Sequence, residues 1–182
     1  STTNSTSVTK VGTTTLTNTV TTTSGDQIGS DIDGEASGDQ SGHSVSMSSD
    51  GTIVAIGAIA NSGNGTDSGH VRVYEYSSSS WSKLGDDIDG ESADDRSGWS
   101  VSLSSDGTIV AIGATQNDGS ASNAGCVQVY QYSNSSWSQL GSDIDADAVL
   151  NTFGPSSVSL SDDGTILAFG SPTNNSYAGH VR

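Results

Sequence analysis

A block of about 56 residues recurs in this chain, twice in full and a third time in part. Asp31-Ile32-Asp33-Gly34-Glu35 returns as Asp87-Ile88-Asp89-Gly90-Glu91 and again as Asp143-Ile144-Asp145-Ala146-Asp147, an offset of 56 at each step (31 to 87 to 143). Trp81-Ser82 and Trp137-Ser138 keep the same offset, and Asp50-Gly51, Asp106-Gly107 and Asp163-Gly164 follow it to within one residue. A period this long means an array of supersecondary units, none of which can bury its apolar face without a neighbour. The repeat constrains architecture far more than it constrains chemistry.

Each unit reads as short strands. In the second, residues 98–104 alternate apolar and small polar side chains, the period of a strand. Ser105-Asp106-Gly107 predicts a tight turn of the two-residue hairpin kind, because Asp-Gly tolerates positive φ. Residues 108–114 form a nearly continuous apolar run, as expected of a strand buried on both faces. A polar loop over 115–125 precedes Cys126-Val127-Gln128-Val129-Tyr130-Gln131-Tyr132, a β-branched and aromatic third strand. Trp137 to Gly141 adds a short fourth strand to the same sheet. No segment has helical apolar spacing with caps. Four antiparallel strands per unit, repeated, predict an all-β chain of propeller-type blades; a β-solenoid or hairpin array is the alternative.

With the repeat framed on Trp81 and Trp137, the units run 25–80, 81–136 and 137–182, the last incomplete. Residues 1–24 form a Thr-rich segment in which Val8-Thr9-Lys10-Val11 and residues 15–20 read as strands. Three blades are too few to close a ring of 4–8. Either further blades belong to a longer polypeptide, or copies of the chain assemble.

Charge narrows the partners. Five basic residues face 21 acidic ones, a net charge of −16. Nucleic acid and anionic membrane surfaces are thereby disfavoured, since both need clustered Lys and Arg. No apolar run reaches the ~20 residues of a membrane span, and no signal peptide is visible. The single Cys126 excludes an intrachain disulfide. Low Lys with abundant Ser, Thr, Asn and Gly suits an extracellular or cell-surface setting. Glycosylation sequons stand at Asn4, Asn64, Asn134 and Asn174.

The ordered motif Gly-x-Ser-Val-Ser-x-Ser-x-Asp-Gly-Thr-Ile-Val-Ala-Ile-Gly-Ala, then a loop, then Gly-x-Val-x-Val-Tyr, resembles the FG-GAP repeat of integrin α-subunit propellers and of many microbial and algal surface proteins. Phe153-Gly154 and Phe169-Gly170-Ser171-Pro172 resemble its two ends most literally. The resemblance covers residues 25–182. It implies a propeller, usually an extracellular binding or adhesion module. Many integrin-type blades place a calcium loop between their first two strands. Here that turn is too short to supply the 6–8 oxygens Ca²⁺ takes, so the family's site does not carry over to it.

An acidic column elsewhere in the repeat is the metal candidate. Asp31, Asp33, Glu35 and Asp39 recur as Asp87, Asp89, Glu91 and Asp95, then as Asp143, Asp145, Asp147 and Asn151. Spacing 1, 3, 5, 9 matches the early ligands of a Ca²⁺ loop, but no Glu follows at position 12. The alternative is a loop of Asx-turns. His70 and His180 share a register position with Cys126 and suit packing better than ligation. Cys126 has no basic neighbour to make it a nucleophile; a cross-link to another chain is its other possible use. Trp81 and Trp137 read as anchors over the outer strand, and the Tyr74/Tyr76 and Tyr130/Tyr132 pairs as fillers between blades. Trp99 aligns with His43 and Ser156, a varying position between fixed neighbours, which marks His43 and Trp99 as ligand-binding candidates. No nucleophile–base pair, phosphate loop or zinc spacing appears, so an enzyme is not expected. The sequence thus predicts an extracellular module that binds protein or glycan. Its alternatives are a structural subunit of a filament, wall or sheath, and a lectin-like propeller.

Overall fold

The computed structural model describes residues 27–119, 121–146, 154–173 and 178–182. Among these the fold is all-β, and the strands form three antiparallel sheets that stack as propeller-type blades. The first sheet holds β1 (Ser41–Met47), β2 (Ile53–Ala58), β3 (His70–Ser77), β4 (Ser80–Lys83) and β5 (Ile88–Asp89). The second repeats it as β6 (Ser97–Leu103), β7 (Ile109–Ala114), β8 (Cys126–Ser133), β9 (Ser136–Gln139) and β10 (Ile144–Asp145). The third holds β11 (Ser157–Leu160), β12 (Leu167–Ser171) and β13 (His180–Val181). A period has no unique origin: the sheets run 41–89 and 97–145, so each takes its outer strand from beyond the frame set on Trp81 and Trp137. The strands read in residues 1–24 lie outside the described residues.

The outer edge is a strand broken in two. Residues β4 and β5 both pair with β3, at Tyr74–Ser77 and at His70–Val71 respectively, and Gly85 at φ +79° turns the chain between them. A side chain there would strike Trp137 of the next blade, whose ring lies 2.9 Å from where a Cβ would stand.

The Asp-Gly turns are longer than the two-residue hairpin expected. Ser48 N–H donates to Ile53 C=O at 2.8 Å, so four residues, 49–52, span the gap, and Gly51 alone takes positive φ. The reason is Asp50, whose Oδ1 accepts from Ser48 Oγ, Thr52 N–H and Thr52 Oγ at 2.7, 3.0 and 2.8 Å. An Asx-type turn therefore displaces the mirror-image turn that needs two left-handed residues. Asp106 and Asp163 do the same in the other repeats.

Alternation along the first strands sorts side chains between two neighbouring blades, not between core and water. Val101 and Leu103 point back into a cluster with Ala55, Val71, Val73, Ile88, Val110 and Ile112. Ser102 points forward, and its Oγ accepts from Leu160 N–H at 3.0 Å; Ser46 accepts likewise from Leu103 N–H at 2.9 Å. A smaller cluster of Ala111, Val127 and Phe169 joins the second blade to the third. The core is thus a series of interblade joints, the arrangement expected of units that stack. Between these joints Ser49 N–H bonds Ser105 C=O at 2.9 Å, and Ser105 N–H bonds Asp162 C=O at 2.8 Å.

Candidate functional site

Where β1 and β6 begin, a bulge shifts the register between Ser41 and Ser44, and between Ser97 and Ser100. Gly42 and Gly98 make the bulges, at φ +88° and +86°. Gly98 C=O lies 2.1 Å from where a Cβ on Gly57 would stand, and it accepts from Ser44 Oγ at 2.7 Å. Only glycine at 57 permits that approach. The close contact brings His43 of one blade against Trp99 of the next, ring centroids 4.8 Å apart and planes tilted 56°. His43 is exposed and Trp99 half-buried. The two residues singled out for varying between repeats therefore form one aromatic pair on the surface.

The acidic column behaves differently. Carboxylates of one loop do not converge; instead, the fifth position of one repeat meets the first position of the next across a third strand. Glu35 pairs with Arg72, and Arg72 in turn holds Asp87 through Nε and Nη2, both at 3.0 Å. Lys83 Nζ adds a bond to Asp87 at 2.8 Å. Against the opposing cost of burial, these bonds hold the Asp87 carboxyl below its usual range. One repeat on, Gln128 stands for Arg72 and Gln139 for Lys83. Their amides donate to Asp143 at 3.1 and 2.6 Å. Glu91 is left facing Asp143 with no cation between them, and burial together with that neighbour raises its carboxyl above the usual range.

Asp39 and Asp95 are buried supports. Each accepts from a backbone N–H three residues back, Ala36 at 3.2 Å and Ser92 at 2.9 Å. Each also accepts from an Asn amide in the loop after the second strand, Asn61 at 3.0 Å and Asn117 at 3.2 Å. The same amides reach Glu35 and Glu91 at 3.4 and 3.5 Å. Asn61 and Asn117 escaped the sequence reading, although both recur at the 56-residue offset and signalled their role that way. Asp31 and Asp33 line a shallow cleft with Tyr74 and Trp81, and Asp31 accepts from Gln27 at 2.8 Å. Asp89 lies 3.9 Å from His70 Nδ1, and Asp145 ends β10. Asp147 and Asn151 lie outside the described residues.

Among the described residues this arrangement does not form a Ca²⁺ cage. Among the described residues, one group of three potential ligands clusters, Glu35, His70 and Asp87, and the Arg72 guanidinium already bonds both its carboxylates. His70 is buried and its imidazole is biased toward the neutral form by that burial. Cys126 is fully buried, so it is available neither to another chain nor as a nucleophile; burial and the surrounding acids raise its thiol well above the usual range. Burial likewise pushes Tyr130 up to about 12. Trp81 and Trp137 pack at a tilt against Tyr76 and Tyr132, ring centroids 5.1 Å apart in each pair, and pin the preceding segment by donating to Ile28 and Leu84 C=O at 3.3 and 2.7 Å. Of the sequons, Asn64 spends its amide on Gly90 and Glu91 C=O at 2.9 and 3.1 Å, which leaves it poorly disposed for modification. Asn134 is exposed, and Asn4 and Asn174 lie outside the described residues.

Blades of this construction, with glycines at the bulges and an Asp-Gly turn between the first two strands, are those of a propeller-type repeat protein. Comparison with protein families matches residues 30–74 and 87–130 to the FG-GAP repeat, and the chain is an FG-GAP repeat protein. No curated protein sequence matches the chain.

Proposed function

We propose that the chain is a non-enzymatic, extracellular or cell-surface binding module, and that the His43–Trp99 pair is its contact surface for a glycan or protein ligand. The observation that carries this reading is the pair itself. Two aromatic rings from different blades meet at a strand position that is His43, Trp99 and Ser156 in the three repeats and is followed by a serine in each. A tilted, half-exposed pair offers apolar faces to the C–H face of a sugar ring and a polar imidazole edge to its hydroxyls. The setting favours binding over catalysis, since the thiol is buried and the carboxylates around it hold it protonated. Among the described residues no helix is long and apolar enough to cross a membrane. FG-GAP repeats are typical of extracellular proteins, and that family membership supports the localisation.

The test is a panel of neutral and acidic glycans and immobilised matrix proteins, probed with the wild-type chain, Trp99→Ala and His43→Ala. Trp99→Ala is expected to weaken retention about tenfold, the equivalent of about 1.4 kcal/mol of lost ring contact. Equal retention by the variant, or none by the wild type, defeats the reading.

A further inference from the structure

The chain turns from β8 into β9 through Asn134 and Ser135, with Ser133 and Ser136 as the last paired residues. Both turn residues take positive φ, +51° and +65°, the mirror-image turn that fits the twist of a hairpin. Left-handed backbone is costly for most side chains, and asparagine tolerates it well. The first repeat nevertheless makes the same turn with Ser78 and Ser79, at φ +52° and +66°. The turn therefore accepts Asn134 without requiring it. What Asn134 adds is an acceptor motif for N-linked glycan, Asn134-Ser135-Ser136, which the serine turn of the first repeat lacks.

Asn134 is exposed, as are Ser133, Ser135 and Ser136 beside it. Its amide has no hydrogen-bond partner among the described residues. Asn64, the other acceptor among them, is tied down. Its Nδ2 clasps the loop after β2 to the Gly90 and Glu91 carbonyls, and a Cβ on the adjoining Gly65 would stand 3.0 Å from the Ala93 N. A sugar on Asn64 Nδ2 would displace that clasp. Asn134 is also remote from the aromatic pair. Tyr132 N–H donates to Thr108 C=O at 2.8 Å, which places the hairpin tip beside the Asp106-Gly107 turn. Trp99 precedes Ser100, whose register runs through Gly113 to Val127. From there the hairpin lies at the far end of β8 (127 to 133), about 20 Å along at the ~3.3 Å rise of a strand.

We infer that Asn134 carries an N-linked oligosaccharide, which stands at the Asp-Gly-turn end of the second blade and leaves the His43–Trp99 end open. The donor is a lipid diphosphate-linked oligosaccharide. Asn134 Nδ2 forms a bond to the anomeric carbon of the first sugar, the bond from that carbon to phosphate breaks, the lipid diphosphate leaves, and the amide gives up one proton. The linkage touches no backbone bond of the turn, so the hairpin keeps its form. A bulky, solubilising group there also screens the outer strand β9, which pairs with β8 alone among the described residues. The inference rests on the extracellular part of the proposed function, because this transfer acts on secreted chains, and not on the aromatic pair.

The test secretes the full chain from a eukaryotic host behind a cleavable leader and removes N-glycans enzymatically in heavy-oxygen water. Each former attachment site then carries a heavy-oxygen label, which peptide mass mapping locates. Label is expected at Asn134 and not at Asn64. Ser136→Ala destroys the motif while keeping Asn134 in the turn, and is expected to lose the label with near-unchanged circular dichroism. An unlabelled Asn134, or label at Asn64 as complete as at Asn134, overturns the inference. Acylation of the exposed His43 by diethyl pyrocarbonate should run at the same rate before and after deglycosylation, and protection by the glycan overturns its placement. Because the leader supplies the secretory route, an unlabelled Asn134 defeats the site and leaves the extracellular reading standing. Protein from its native source with no glycan at any sequon would defeat both.

Discussion

Asp106 Oδ1 accepts from Ser104 Oγ, Thr108 N–H and Thr108 Oγ, so one oxygen holds the loop between β6 and β7. Removing it in Asp106→Ala leaves two hydroxyls and a backbone donor to water at a turn that also bonds its neighbours. The expected loss is about 1–2 kcal/mol, read from a urea midpoint at unchanged slope. Acid does the same to all three turns. The Thr52 and Thr108 N–H groups, with Ser48 and Ser104, hold Asp50 and Asp106 below the usual range; the Ser161 hydroxyl and the Thr165 N–H hold Asp163 at about 2. A carboxyl lowered by folding stabilises the fold above its unfolded value and loses that contribution as pH falls through the folded one. Stability is therefore expected to drop between about pH 4 and pH 2, less steeply in Asp106→Asn, and melts across that window check it. The turn was visible in the sequence because Asp-Gly recurs. Its width was not, because the hydroxyls that reshape it belong to residues that also read as ordinary strand serines and threonines.

Substituting Gln128 for Arg72 changes what the third strand does with the acids beside it. Arg72 lies between Glu35 and Asp87, whereas Gln128 leaves Glu91 against Asp143. Cys126, Tyr130, Asp95 and Asp145 also face this region, and none brings a positive charge. Gln128→Arg should restore the bridge and raise stability at neutral pH by up to about 1 kcal/mol, the range for partly exposed pairs. The sign with pH is distinctive. A carboxyl raised by folding favours the fold at low pH and costs stability as pH rises through its folded value. The wild-type contribution of Glu91 thus declines above its ordinary value of about 4.3, and that decline should vanish in Gln128→Arg when melting is followed from about pH 4 to pH 7. An equal gain at both ends of that range would refute the bridge. The acids were legible as a column, but their partners were not. Position five of one unit meets position one of the next, 52 residues on (35 to 87), and a comparison that aligns each unit with itself hides such diagonal contacts. His43 and Trp99 show the same effect: alignment marked them as equivalent, and stacking made them neighbours.

Across the whole molecule, stacked sheets carry a net charge of −16, and the short list of cations is partly spent on local bridges. The fold must hold that charge against its own repulsion, which salt screens over about 10 Å at 0.1 M. The repeat and its strand spacing made the stacking legible, because units of this length bury little until they meet a neighbour. The cost of gathering acids at successive joints was not legible, since composition gives total charge and no positions. Melting temperature should therefore rise with ionic strength. The identity of the divalent ion should not matter. Asp39, Asp95, Asp87 and Asp143 already accept from N–H groups, amides or a guanidinium, and Ca²⁺ would have to displace several of these donors to collect its 6–8 oxygens. CaCl₂ and MgCl₂ at matched ionic strength are expected to give superimposable melts. A rise specific to Ca²⁺ and reversed by a chelator would instead require the acids to regroup around the ion, and would overturn the view that this column serves the joints.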